Sequence, residues 1–240
     1  MKNIAVLAKQ VPDTENVGNE AMKEDGTVNR AKLPVVFNPE DLNALEMALQ
    51  IKESQGGNVT VLSMGPAPAK DVLKHALYLG ADDVYLISDK AFAASDTLAT
   101  SYILSEAVNY LDDIDLVLGG TQAIDGDTAQ VGPQTAEFLD INHAAYVNEI
   151  MEITEKEIKI NTSLWKSEYA KTFAYPLLVT VTKDINSPRL PSFKDKMKAR
   201  KTEINKMDFE SISDHLSLER VGFEGSPTWV EKIIVPEKIE

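Results

Sequence analysis

DLVLGGTQAIDGDTAQVGP, residues Asp115 to Pro133, is the stretch on which the fold turns. It reads as a short apolar strand (Leu116, Val117, Leu118), a double-glycine turn (Gly119, Gly120), a polar loop, and the first turn of a helix that runs on through Ala136 and Leu139. Glycines let the backbone approach a ligand closely. The N–H groups from Thr128 to Val131 at the helix start offer a partial positive charge suited to a phosphate. Such amides bind a diphosphate without a lysine. Asp125 and Asp127 would repel it unless they face ribose hydroxyls, an adenine amine or the backbone, so the phosphate is assigned to main-chain amides rather than to side chains.

Upstream, short apolar runs alternate with helical periodicity. Ile4 to Ala8 has the continuous apolar character of a strand buried on both faces, and Lys9, Gln10, Val11 and Pro12 follow at its carboxyl end. In doubly wound sheets that is where ligands bind. Lys9 reads equally well as a contact to a ligand phosphate or an intersubunit carboxylate, and as a solvated lysine. Asp13 to Leu33 is polar, with Gly18 and Glu24-Asp25-Gly26, and reads as a loop or small hairpin over the sheet edge. Asn38-Pro39-Glu40-Asp41 is a helix start, with Asn as cap, Pro in the first turn and acids beside it. Leu42, Leu45, Ala48 and Leu49 form its apolar face, and Gly56-Gly57 ends it. Asn38 serves equally as cap and as nucleotide contact. Val59 to Ser63 is the next strand, closed by Met64-Gly65-Pro66; a helix carrying Val72, Leu73, Ala76 and Leu77 ends at Gly80. Val84 to Ile87 is a third strand and Thr97 to Leu111 a third helix. The alternation predicts an α/β fold, a doubly wound and mostly parallel sheet with right-handed crossovers.

Downstream the pattern changes. Tyr146 to Ile153 and Glu157 to Leu164 read as strands joined at Thr154-Glu155-Lys156, with a third through Tyr169 to Ala174, an antiparallel ribbon at the sheet edge. Leu177 to Thr182 is a strand again, and Lys183 to Asp195, with Pro188 and Pro191, is irregular. Met197-Lys198-Ala199-Arg200-Lys201 is a basic island. The last forty or so residues lack core-forming periodicity yet hold Phe209, Phe223 and Trp229, so they lie against another surface, this domain's or a second subunit's.

The totals exclude whole classes of function. With no cysteine in 240 residues, thiolate catalysis, iron–sulfur ligation and cysteine zinc sites are impossible, and three scattered histidines give no metal-ligand spacing. His75 and His143 read as structural. A net charge of −14 argues against nucleic acid and anionic lipid as partners. The apolar run at the N-terminus is too short for a signal peptide and no run reaches membrane length, so a soluble, cytoplasmic chain without membrane insertion is expected. Walker A, G-x-G-x-x-G, the adenylating Ser-Gly-Gly-x-Asp-Ser loop and the nucleophile-elbow serine are all missing. Asp125 and Asp127 can be offered as a magnesium or acid/base pair, although turn chemistry explains most such aspartates. Composition and spacing alone support an α/β nucleotide-binding subunit.

The chain resembles the beta subunit of electron transfer flavoprotein. The likeness is carried, in order, by IAVLAKQVPD, NPED, VLSMGPA, ALYLGADDVYLI, GGTQAIDGDTAQVGP, and SPRLPSF followed by MKARK. The resemblance implies an adenine nucleotide alpha hydrolase-like domain over residues 1–195 and a C-terminal arm over 196–240 that packs on a larger, flavin-carrying alpha subunit. It implies a cofactor site of Leu7, Lys9, Asn38, Pro39, Asp41, Met64, Thr121, Gln122, Ala123, Asp125, Gly126, Asp127, Thr128, Ala129, Gln130, Val131 and Gly132. Backbone donors at Asp127 to Val131 and the Thr128 hydroxyl would hold a diphosphate, with the Asn38 and Met64 regions around adenosine. Asp184, Ile185, Asn186, Pro188 and Arg189 match the loop that docks partner dehydrogenases, with Ile185 where family members often show leucine.

Members holding a structural AMP resemble D-D-D-x-N-Q-T-G where this chain has Asp125-Gly-Asp-Thr-Ala-Gln-Val-Gly132. The present form is similar to that of the electron-bifurcating branch, whose beta subunit binds FAD, and small side chains leave room for the longer ligand. That branch implies hydride from NADH, one electron to ferredoxin or flavodoxin, and one through the alpha-subunit flavin to an acyl-CoA dehydrogenase or similar partner, with no catalytic side chain. Two alternatives stand beside it: a non-bifurcating subunit with AMP in the cleft, and a free-standing adenine-nucleotide hydrolase or sensor.

Overall fold

In chain order the elements of this computed structural model are β1 (Lys2–Leu7), β2 (Gln10–Pro12), β3 (Val35–Phe37), α1 (Pro39–Gln55), β4 (Gly57–Met64), α2 (Lys70–Leu79), β5 (Asp83–Ile87), α3 (Thr97–Tyr110), β6 (Leu116–Gly120), α4 (Val131–Phe138), β7 (Asn142–Ile153), β8 (Glu157–Leu164), β9 (Ser167–Ala174), β10 (Leu177–Val181), α5 (Phe193–Ala199) and β11 (Asn205–Met207). The structure describes residues 2–14, 16–18, 21, 29, 32–164, 167–212 and 216–227. Most of the polar segment 13–33, and Trp229, lie outside them; β2 and β3, which flank that segment, pair as a small antiparallel sheet.

The main sheet runs β11-β5-β4-β1-β6-β10-β7-β8-β9. From β11 to β7 every pairing is parallel, and β7, β8 and β9 continue it as an antiparallel ribbon. The expected doubly wound sheet with its edge ribbon is therefore the fold. Central strands are apolar throughout because both faces are covered. Ile4, Val6, Val61 and Leu118 pack with Leu45 of α1 and Leu73 of α2; Ala5, Leu7, Leu62 and Val117 pack in the opposite layer with Ile103 of α3 and Ala136 of α4. Each large side chain so buried contributes about 1.5–3 kcal/mol.

Three details differ from expectation. First, β7 begins at Asn142 and serves two roles, pairing parallel with β10 at its start and antiparallel with β8 beyond Val147. A register shift and left-handed Tyr146 (φ 56°) mark the change of direction, and a bulge of this kind bends a strand. Second, Phe193–Ala199 is helical and packs on α2, whereas irregular chain was expected through Asp195. Third, the tail past residue 195 does not leave the domain at that point. Asn205–Met207 adds β11 to the sheet, and Ile212, Leu216 and Val221 are buried in the α3–α4 layer. Among the described residues no helix is long and apolar enough to cross a membrane.

Candidate functional site

From β1 the chain steps outward through β4 and β5, then returns through α3 to β6 on the other flank of β1. The strand order reverses there, and neighbouring loops part at the carboxyl ends to leave a crevice. A cavity of about 590 Å³ occupies this place, within the roughly 300–1,000 Å³ of small-molecule sites. Leu7, Leu62, Ile87 and Leu178 form an apolar floor, the loop after β6 makes one wall, and Ser88 to Thr97 makes the other.

The start of α1 fastens the first wall. Asn38 is positioned as its cap yet makes no capping bond. Instead its side-chain amide donates to Gln122 O (2.9 Å) and its carbonyl accepts from Ile124 N–H (3.2 Å). Glu40 accepts from Gln122 N–H at 2.9 Å. Asp41 accepts from Lys9 N–H (2.8 Å) through one oxygen and from Gly120 N–H (2.9 Å) through the other, stapling the ends of β1 and β6. A Cβ at Gly120 would lie 2.6 Å from the Asp41 carboxylate, so only glycine permits this approach. Burial pushes Asp41 up to about 7, against its hydrogen bonds, and burial also raises Glu40.

Beyond the clamp, Gly126 and Asp127 turn their N–H groups back to Ala123 O, at 3.1 and 2.9 Å. Asp127 is thus not a free donor, and the donors begin at Thr128. Asp127 (φ 49°) and Ala129 (φ 52°) are left-handed, a conformation that costs a non-glycine residue about 1–2 kcal/mol. Alternating handedness of this kind turns successive N–H groups to one side and forms an anion cradle. Among the described residues, the N–H groups of Thr128 to Gly132 meet no protein acceptor. Chain neighbours aside, a Cβ at Gly126 would meet nothing within 4 Å.

The expected site residues line the cavity, except Pro39 and Asp125. Lys9 Nζ sits 2.8 Å from both oxygens of Asp125, a carboxylate of its own chain, so this acid is neutralised beside the cradle. The Thr121 hydroxyl donates to Val181 O, and Thr97 bonds the Gln130 side chain at 2.7 Å, joining the starts of α3 and α4. Among the described residues no cluster of three metal-ligating groups occurs. His75 stands edge-on to Phe37, with burial lowering its pKa, and His143 is exposed. The wall Ser88 to Thr97 was missed in the sequence, although its place after β5 was signal enough.

The segment expected to dock a partner is tied to α1. Asn43 and Asn186 exchange amide–carbonyl bonds, and Arg189 grips Glu46 (2.7 Å) and Glu53. Ile185 is half-buried against the α1–α2 core. The apolar side chains that protrude here are Leu190 (88% exposed) and Phe193 (80%).

Fold and crevice together define an α/β protein with a ligand-sized cleft at the carboxyl ends of its parallel strands. The family Electron transfer flavoprotein domain matches residues 25–212, and the chain belongs to the electron transfer flavoprotein family. It is 42% identical over 240 residues to "Electron transfer flavoprotein subunit beta" of Megasphaera elsdenii, covering 97% of this chain and 87% of that one. It is 41% identical over 234 residues to "Caffeyl-CoA reductase-Etf complex subunit CarD" of Acetobacterium woodii (97% and 87%). To "Acryloyl-CoA reductase electron transfer subunit gamma" of Anaerotignum propionicum it is 39% identical over 238 residues (97% and 88%).

Proposed function

We propose that this chain is the beta subunit of a heterodimeric electron transfer flavoprotein and that the β1–β6 crevice holds FAD. The observation that carries the reading is the cradle: consecutive N–H groups from Thr128 to Gly132 without protein acceptors, held by left-handed Asp127 and Ala129. Such donors suit a diphosphate. Open space at Gly126 removes the steric objection to a dinucleotide, and the pairing of Asp125 with Lys9 removes one of the two carboxylate objections. The apolar floor suits a flat ring, and Thr128 is exposed at the cradle, where its hydroxyl reaches a phosphate.

A bound flavin supplies the redox chemistry, two electrons as hydride from NADH and their separate delivery to ferredoxin or flavodoxin and, through an alpha-subunit flavin, to an acyl-CoA dehydrogenase-type partner. This chain's residues bind, orient and shield. Asp41 fixes the spacing of the strand ends, Asn38 and Glu40 fix the loop, and Leu190 with Phe193 offers the apolar contact to the dehydrogenase. The two reductase-complex relatives support a dehydrogenase-type partner. The complex is assigned to the cytoplasm.

Flavin counting on the gently purified, coexpressed pair tests the reading. Two flavins per heterodimer support it. One flavin together with one AMP refutes the redox role of this subunit, and a lone chain that turns over ATP refutes the family role altogether.

A further inference from the structure

The tail runs along the outer side of the wall Ser88 to Thr97 and is bonded to it along its length. Ser88 N–H donates to Met207 O at 2.9 Å. One oxygen of Asp89 accepts from Phe209 N–H (3.2 Å) while the other accepts from Ala91 N–H (2.9 Å). The rings of Phe92 and Phe209 lie 6.3 Å apart. Gly222 N–H donates to Ser95 Oγ (3.1 Å), and Asp96 N–H donates to Ser226 Oγ (2.8 Å), whose hydroxyl donates to Gly222 O (2.6 Å). Phe92, Ser95 and Asp96, reached here from behind, also line the cavity.

The wall needs such support. Ala94 is left-handed (φ 63°), and strain of this kind persists only where the surroundings impose it. Ser226, 5% exposed, holds the chain just after Ala94, its Oγ lying 3.3 Å from Ala94 O and accepting from Asp96 N–H. Gly222 lies so flat on the wall that a Cβ would stand 2.2 Å from Ala91 O.

We propose that Met207–Ile212 and Leu216–Ser226 form a strap that positions the cavity wall, with Ser226 and Gly222 as positioning residues, so that an adenine nucleotide in the crevice and docking of the strap stabilise each other. The inference rests on the nucleotide reading of the crevice and adds its regulation. Reciprocity follows from linkage: whatever the strap adds to nucleotide affinity, the nucleotide adds to strap docking. A chain pulling on the tail would loosen the cofactor without touching it.

The test uses the coexpressed pair. Ser226→Ala leaves the Asp96 N–H without its acceptor, at about 1 kcal/mol or more, so FAD release after dilution, followed by the rise in flavin fluorescence, is expected to be about five- to tenfold faster. In the wild-type pair freed of its crevice FAD, ADP is expected to slow hydrogen exchange at the Gly222 and Ser226 amides. Gly222→Ala, a wedge against Ala91, is the second variant and is expected to release FAD faster still. A Ser226→Ala protein with native circular dichroism and unchanged release overturns the strap, as does exchange indifferent to ADP. If Ser226→Ala does not fold, the exchange result alone decides. A wild-type pair that binds neither FAD nor ADP overturns the crevice reading itself, and the strap with it.

Discussion

Asp41→Asn separates two forces acting on one buried carboxyl. Its hydrogen bonds, one backbone N–H to each oxygen, favour the ionised form, whereas burial favours the neutral one and prevails, holding the pKa at about 7 against an ordinary 3.8. Below pH 3.8 both folded and unfolded chains keep the proton, and the stabilising contribution is complete. Between 3.8 and 7 the folded chain binds a proton that the unfolded one lacks, so stability falls as pH rises, and above 7 the contribution is gone. At about 1.4 kcal/mol per pH unit, going from pH 5 to pH 8 removes about 3 kcal/mol. Asparagine has no such proton. Urea unfolding of wild type and variant at both pH values should therefore show the wild type losing about 3 kcal/mol relative to Asp41→Asn, with the titrating groups not coupled to Asp41 cancelling in the difference. At pH 8 the variant should also hold nucleotide less well, because an amide accepts through one oxygen only and leaves either Lys9 N–H or Gly120 N–H unpaired. A difference that is flat with pH, or that grows in the wild type's favour, would mean that the N–H bonds outweigh burial and would refute the reasoning.

Gly126→Phe should leave urea stability within about 0.5 kcal/mol, since beyond its chain neighbours the new Cβ meets open space, yet it should reduce flavin content sharply; full occupancy would contradict the cradle assignment. Ala129→Gly should raise stability by about 1 kcal/mol by relieving the left-handed backbone, read as a higher thermal midpoint, and an unchanged or lower midpoint would deny that strain. Leu190→Ser should slow electron delivery to the dehydrogenase several-fold without changing stability, because the side chain is 88% exposed. Ile185→Ala should do the opposite, costing about 1–2 kcal/mol of stability as a partly buried core contact, with delivery rates intact in the folded protein; a reversed pattern would restore Ile185 as the docking residue.

Those last two substitutions show where sequence reading runs out. The main-sheet strands and the helices up to β6 were legible because continuous apolar runs and 3.6-residue periodicity are local properties, whereas the short pair β2 and β3 was not. The ribbon was legible for the same reason, since period-two alternation survives in isolation. Position in a chain, by contrast, does not say what lies across from it. Ile185 and Leu190 are both apolar residues in one irregular segment, and its ties to α1, Asn186 to Asn43 and Arg189 to Glu46 and Glu53, come with the first half-buried and the second in solvent. Asn38 looked like a cap because Asn before Pro usually is one, but its real partners stand 84 and 86 residues away.

The site divides along the same line. The β6–α4 loop was legible because glycines and a helix start advertise themselves, while the opposite wall carries no motif and owes its shape to Met207, Phe209, Gly222 and Ser226, more than a hundred residues downstream. Even within the legible loop, free and bonded donors were not distinguishable: Asp127 N–H turns inward to Ala123 O, and Thr128 N–H does not. A cofactor site assembled from both ends of a chain has one wall that sequence displays and one that only the fold creates. On the proposed reading affinity depends on both, and substitutions at the unadvertised wall test what the fold adds to the sequence.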